Sequence, residues 1–477
     1  MMPTRSTGPT MLGAKLNYPK AGLIVAACAS LTGCLAGPDY HRPSLATPAA
    51  FKEAEGWAPA HPADAADRLD WWTMFNDPVL NDLESRVAAS NQTLAAAEAA
   101  YRQARALVAE QRAALFPTVS LSASPGATTH GSGPTTQSYS LGLGGTWEPD
   151  LWGRIRRSIE NAKAGAAQSA ALTANARLSA QLELAADYIQ LRQLDEEERI
   201  LAATVDAYRK TLAITQNKYA AGVVPKSDVL SAQSQLESTR ANDTDLLQQR
   251  ARVEHAIAVL VGLPPAGLTL AATSWTLAAP EIPAQLPSEV LQRRPDVAAA
   301  ERAVAAASAS IGVQMAAYYP RLSLTGQGGF SGGDLGSLLS ASNTLWSVGA
   351  SAAETVFDAG ARHAAVGAAH ANYDQAVANY RQTALSAFAQ VEDNLVAQRV
   401  LGREQTERSA ASEAADAAEV IARNQYQAGQ VDYTAVVVAQ STALSARDAL
   451  VQVEAARATA AVDLIVALGG GWKSPPL

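Results

Sequence analysis

The residue best placed for covalent chemistry is Cys34. It closes the stretch Leu31-Thr32-Gly33-Cys34, behind Arg5, Lys15, Lys20 and an apolar, small-residue run from Ala21 to Ser30. Cations, then a short apolar segment, then small residues is the layout of a secretory signal rather than a membrane-spanning helix. A cysteine at its end is placed as in the bacterial lipobox, where the thiol is lipidated and the residue becomes the new N-terminus. A buried cysteine beside an ordinary signal peptide is the alternative. Leu35 follows, and the absence of an aspartate there suits sorting to an outer membrane. Met11 is a second possible start besides Met1.

Other residues capable of chemistry do not converge. His363 and His370 lie seven apart on one helix face, but no carboxylate or cysteine spacing completes a metal site. The run Asp195-Glu196-Glu197-Glu198 reads as a solvated helix face, with lining of a duct as the alternative. Two turns, Gly222-Val223-Val224-Pro225-Lys226-Ser227-Asp228 and Gly429-Gln430-Val431-Asp432-Tyr433, have a glycine that ends one helix and an Asp or Ser that begins the next. Capping alone explains that pattern. No enzyme site, metal or cofactor is expected.

The net charge of −8 and the lack of any Lys/Arg run with interleaved aromatics argue against a nucleic-acid partner. Cleavage before Cys34 removes three cations and no acids, taking the charge to −11, and leaves Cys34 as the one cysteine. With no intrachain disulfide available, stability must come from packing and assembly. Abundant alanine and few aromatics suit a protein made mostly of long helices.

The chain is written twice. Asn91-Gln92-Thr93-Leu94-Ala95-Ala96-Ala97-Glu98 through Phe116-Pro117-Thr118-Val119-Ser120-Leu121 matches Arg294-Pro295-Asp296-Val297-Ala298-Ala299-Ala300-Glu301 through Tyr319-Pro320-Arg321-Leu322-Ser323-Leu324, at an offset of 203. Further on Gly153 matches Gly360, Asn217-Lys218-Tyr219 matches Asn424-Gln425-Tyr426, and Gly262 matches Gly469, at an offset of 207. The organisation expected is a signal peptide over 1–33, a lipid-linked segment over 34–70, repeats over 71–263 and 291–470, a Pro-rich linker over 264–290, and a tail over 471–477.

Each repeat reads as helix, β-hairpin, very long helix, turn, helix. The first helix is expected from Asp77 to Leu115, and strands about 118–124, 138–147, 321–330 and 344–357. From Leu151 to Ala221 there is no proline and almost no glycine, so a continuous helix would run roughly 106 Å at 1.5 Å per residue. Four alternating strands of this length suit an outer-membrane barrel, yet one chain cannot close, since such barrels need at least about eight strands. Open edges in lipid cost several kcal/mol per unpaired group, so other copies must complete the sheet. Two copies give a barrel filled by its own side chains; three give twelve strands and a passage. Phe116, Trp147, Tyr318, Tyr319, Trp346 and Phe357 at strand ends suit the headgroup interface, or core packing equally well.

These features resemble the TolC-like outer-membrane factors, in the lipid-anchored branch called NodT-like or OprM-like. The residues carrying the resemblance are Cys34 with Gly37-Pro38-Asp39-Tyr40 and Arg42-Pro43; Trp71-Trp72 with Phe75, Asp77-Pro78 and Leu80; and Trp147-Glu148-Pro149-Asp150-Leu151-Trp152-Gly153-Arg154. Tyr219-Ala220-Ala221-Gly222, Leu286-Pro287-Ser288-Glu289 and Arg293-Arg294-Pro295-Asp296 complete the set. The resemblance implies a mainly α fold with a membrane β-barrel: a trimeric channel-tunnel whose shared 12-stranded barrel is continued by a long α-helical periplasmic barrel. It implies an exit duct for drugs and small solutes in a tripartite RND-type efflux system, with a periplasmic adaptor, an inner-membrane pump and outer-membrane lipid as partners. In that family the turns form a periplasmic gate, and the residues that match here are Arg423, Tyr426, Asp432 and Tyr433, with Asp228 in the first repeat. A type I protein-secretion duct and a structural coiled-coil lipoprotein are the rival readings; paired amphipathic strands argue against the second.

Overall fold

The computed structural model describes residues 35–54, 70–131, 133–274, 280, 282 and 293–470. Cys34, the tail and most of the expected linker lie outside the described residues. Asp77 starts the helical part: its Oδ1 accepts from Val79 N at 2.8 Å and Leu80 N at 3.1 Å, capping α1 (Pro78–Ser90) with proline at its first position. The single helix expected over 77–115 is broken at Asn91. That residue is extended, its Oδ1 caps Leu94 N at 2.9 Å, and its amide donates to Leu260 O at 2.9 Å. A short polar side chain that serves neighbouring backbone in a non-helical conformation outcompetes the helix there, and α2 restarts over Gln92–Ala113.

The remaining elements are β1 (Thr118–Thr128), β2 (Thr136–Trp147), α3 (Arg154–Ala220) and α4 (Lys226–Leu260), then α5 (Pro295–Ala316), β3 (Arg321–Gly332), β4 (Thr344–Ala353), α6 (Ala361–Gln427) and α7 (Tyr433–Ala467). Helices α3 and α6 are each 67 residues, and α4 and α7 each 35. Each strand pair is therefore followed by the same roughly 100 Å of helix. Carboxylates set both starts. Asp150 accepts from Ile155 N and Arg156 N at 2.9 Å each, and Asp358 from Gly360 N at 3.0 Å and Arg362 Nε at 2.6 Å.

The strands form one antiparallel sheet in the order β1-β2-β3-β4, with Leu121 opposite Leu143, Trp147 opposite Leu324 and Leu324 opposite Ala350. Strand β4 stops at Ala353, short of 357. Its last pair is with Arg321, and Pro320 before that has no N–H to continue the ladder, so Val356 and Phe357 stand 94% and 85% exposed. Strand β1 runs beyond the expected 124, because Pro125 and Gly126 sit on an edge strand where a missing donor is tolerated.

The chain divides into two compact units. One holds the sheet, within Ala109–Asn161 and Ser308–Ala371 together with the residues up to Tyr40; β1 and β4 are exposed along their whole lengths. The other unit holds a packed core that includes Trp71, Leu80, Leu83, Leu184, Ile189, Leu191, Ile257, Leu395 and Leu464. There Tyr188 donates to Asp77 Oδ2 at 2.7 Å, Phe51 meets Phe388 edge-on at 6.4 Å, and Glu392 accepts from Lys52 N and Glu53 N at 2.7 and 2.8 Å.

The acidic run on α3 is not the solvated face expected of it. Asp195 is buried, accepting from Arg192 Nη1 at 2.7 Å, Arg250 Nε at 2.7 Å and Thr273 N at 3.3 Å. The same arginines donate to Ala271 O at 2.8 Å and Leu270 O at 2.7 Å. The carboxylate is thus the centre of a clamp that holds the chain leaving the first repeat against α3 and α4, while Glu196, Glu197 and Glu198 stay half-exposed.

Candidate functional site

The turns that join each 67-residue helix to its 35-residue partner carry the candidate gate residues, and both belong to the unit with the packed core. In the first, Gly222 adopts φ +73°, and Val223 N donates to Lys218 O at 2.9 Å, closing the helix end on a conformation that a Cβ disfavours. Pro225, not Asp228, occupies the position before α4. Asp228 lies in the first turn, where its negative charge faces the positive end of the helix dipole. In the second, Gly429 adopts φ +76°, and Gln430 N donates to Gln425 O at 2.9 Å. Asp432 caps α7, its Oδ1 accepting from Ala435 N at 3.1 Å, and the residue itself is exposed.

Tyr426 and Tyr433 point inward. They meet edge-on at 5.6 Å and are buried with Ala232 and Val436, so α4, α6 and α7 share one small core beside the turns. Tyr426 donates to Thr215 Oγ1 at 3.2 Å, and Lys218 Nζ stands 4.1 Å above its ring while donating to the Tyr426 carbonyl. Burial raises both phenols, Tyr433 to about 12, with Tyr426, Tyr208 and Asp228 adding to the second shift. Both rings stay neutral at any physiological pH, and they tie the two hairpins of one chain together.

Arg423 is not joined to the tyrosines. Its Nη1 donates to Glu419 Oε1 at 3.4 Å, and Glu419 also takes Arg447 Nη2 at 2.9 Å; Arg447 reaches Asp416 at 2.7 Å. These charges line a cavity of about 430 Å³ with Arg199, Tyr208 and Gln440. Its arginines are already paired, so the cavity offers an anion no uncompensated charge. Of the gate candidates, Tyr426 and Tyr433 are in contact, while Asp228, Arg423 and Asp432 each serve separate local partners. Thr215, Lys218, Glu419 and Arg447 complete the cluster and were not singled out in the sequence. Of these, the duplication marked Lys218 alone, which occupies the place equivalent to Gln425.

At the sheet, Trp346 and Val348 of β4 are 79% and 80% exposed, and Val119 and Leu121 of β1 are also exposed. Trp147 Nε1 donates to Leu115 O at 2.9 Å, so the indole is anchored at one end and open at the other. Apolar side chains and unpaired edges on a four-stranded sheet are arranged for a surface that something else must cover. Among the described residues no helix is long and apolar enough to cross a membrane, and no group of three ligating side chains could hold a metal.

The family model described as outer membrane efflux protein matches this chain twice, over residues 83–263 and 286–470. The pyoverdine export outer membrane protein OpmQ of Pseudomonas aeruginosa is 31% identical over 467 residues, 94% of this chain and 97% of the relative. The probable efflux pump outer membrane protein TtgC of Pseudomonas putida is 30% identical over 457 residues, 93% of each chain. Among solved structures, the outer-membrane channel OprN aligns with a TM-score of 0.85 at 33% identity, covering 93% of this chain and 100% of that one.

Proposed function

The chain belongs to the outer membrane efflux protein family, and on that premise we propose that it is the exit duct of a tripartite pump, assembled as a homotrimer and anchored by lipid on Cys34. Drugs and other small solutes would pass through it from an inner-membrane RND-type pump and a periplasmic adaptor to the exterior, without chemistry on the way. The observation that carries this reading is the sheet. Its four strands leave both edges, β1 and β4, exposed over their full lengths. A sheet with free edges is not viable in lipid, and three copies joined edge to edge supply twelve strands, wide enough for a passage. The names of OpmQ, a pyoverdine exporter, and TtgC, an efflux pump component, favour small solutes over polypeptides.

The long helices then form the periplasmic part, with the two turns at the closing end. Asp432 uses one oxygen for its cap and the residue is exposed, so three copies can ring the closure with negative charge. The experiment is single-channel recording of purified full-length protein in a planar bilayer, with crosslinking to count subunits. Trimers that conduct support the duct; a protein that binds bilayers without conducting, or that conducts as another oligomer, refutes it.

A further inference from the structure

The residues that follow Cys34 are seated in a built site. Leu35 lies against Gly153, where an added Cβ would come within 2.7 Å of Leu35 Cδ1, and Ala36 N donates to Trp152 O at 3.0 Å. Buried Arg157 then grips the segment. Its Nε donates to Ala36 O at 3.1 Å, and its Nη2 to Gly37 O at 3.2 Å and Asp39 Oδ1 at 2.9 Å, while Nη1 is held by Glu160 at 2.7 Å. Gly37, at φ +85°, approaches α5 so closely that a Cβ on it would sit 2.4 Å from Gly312 Cα. At Gly37 the site has room for main chain alone. Without the segment, a buried guanidinium would lose three of its hydrogen bonds.

The seat lies at the end of the sheet. Trp152 stacks on Tyr319 at 4.9 Å and donates to Pro320 O at 2.8 Å, one residue before β3 begins. The duplicated helix start provides an internal control. Gly360 repeats the positive φ of Gly153, and Ala364 N donates to Gly360 O as Arg157 N does to Gly153 O. Position 364 is alanine, so the helix start itself does not require arginine. Only the copy beside the N-terminal segment has an arginine at this position.

We propose that Arg157 is the positioning residue for the acylated N-terminus. It docks residues 36–39 at the end of the sheet, so that lipid on Cys34 enters the membrane at a set place beside the strands and directs their insertion and joining with other copies. The proposal rests on the reading of Cys34 as the anchor, and its test separates the two. Pulse-labelled full-length chains are followed into crosslinkable outer-membrane trimers for the wild type, Arg157→Ala, Cys34→Ser and the double variant, with a palmitate analogue reporting acylation. Arg157→Ala should remain acylated and slow trimer formation by the same factor as Cys34→Ser, and it should add nothing in the Cys34→Ser background. Gly37→Ala, which disturbs the segment and leaves α3 intact, should behave the same way. Equal, additive slowing by Arg157→Ala and Gly37→Ala in both backgrounds would make the site merely structural and overturn the proposal. A wild-type chain that takes up no palmitate analogue would instead remove the anchor itself.

Discussion

Glu84 on α1 is 0% exposed, and neither carboxyl oxygen has a hydrogen-bond partner. Burial pushes its carboxyl from 4.5 to about 9, against a smaller opposing effect of the Arg177 charge. The unfolded chain releases this proton near pH 4.5 and the folded chain keeps it until about 9. The contribution of Glu84 to stability is therefore full below 4.5, declines as pH rises, and is lost through 9. At about 1.4 kcal/mol per pH unit, the folded state at pH 7 is about 3 kcal/mol less stable than with a group that never ionises. Glu84→Gln keeps the shape and has no proton to release. Thermal unfolding of the purified full-length protein in detergent should therefore show the variant gaining on the wild type from pH 5 to pH 8.5. The gap between midpoints must widen with pH, since any effect of the amide on packing is the same at every pH. A constant gap, or a variant that loses ground at high pH, would refute the argument that Glu84 is a neutral, desolvated acid.

Removing the carboxylate in Asp195→Ala leaves buried Arg192 without its carboxylate partner and half-buried Arg250 with Glu254 alone, and should cost about 3 kcal/mol. Hydrogen exchange should rise over 270–273, and unchanged protection there would mean the clamp does not hold that segment. Asp432→Asn should leave the folded protein as stable as before, because asparagine caps about as well as aspartate. In bilayers it should lower cation selectivity and weaken block by trivalent cations, whereas unchanged conductance and block would confine Asp432 to its cap.

Much of the fold was legible because it is written in local signals. The absence of proline over 154–220 permits one helix, glycines at 222 and 429 end the long helices on a positive φ, and alternation marks the strands. The incompleteness of the sheet also followed from the sequence, since it depends on counting strands. The family was readable from motifs such as Trp147 to Arg154, whose roles became physical only in the structure: Asp150 caps, Gly153 takes φ +78°, and Trp152 wedges against Tyr319.

What the sequence could not decide is which face of each helix turns inward. Alanine is nearly as acceptable inside as outside, so an alanine-rich helix has no strong apolar stripe to specify its orientation. Hence Asp195 read as solvated but is buried against Arg250, 55 residues away, and Asn91 ends a helix by reaching Leu260 O across 169 residues. Tyr426 and Thr215 are 211 apart, and Arg157 grips a segment about 120 residues before it. Local periodicity and capping residues determined the elements. Only the tertiary structure decided which polar side chains they bury, because those partners come from parts of the chain too distant for any local pattern to pair.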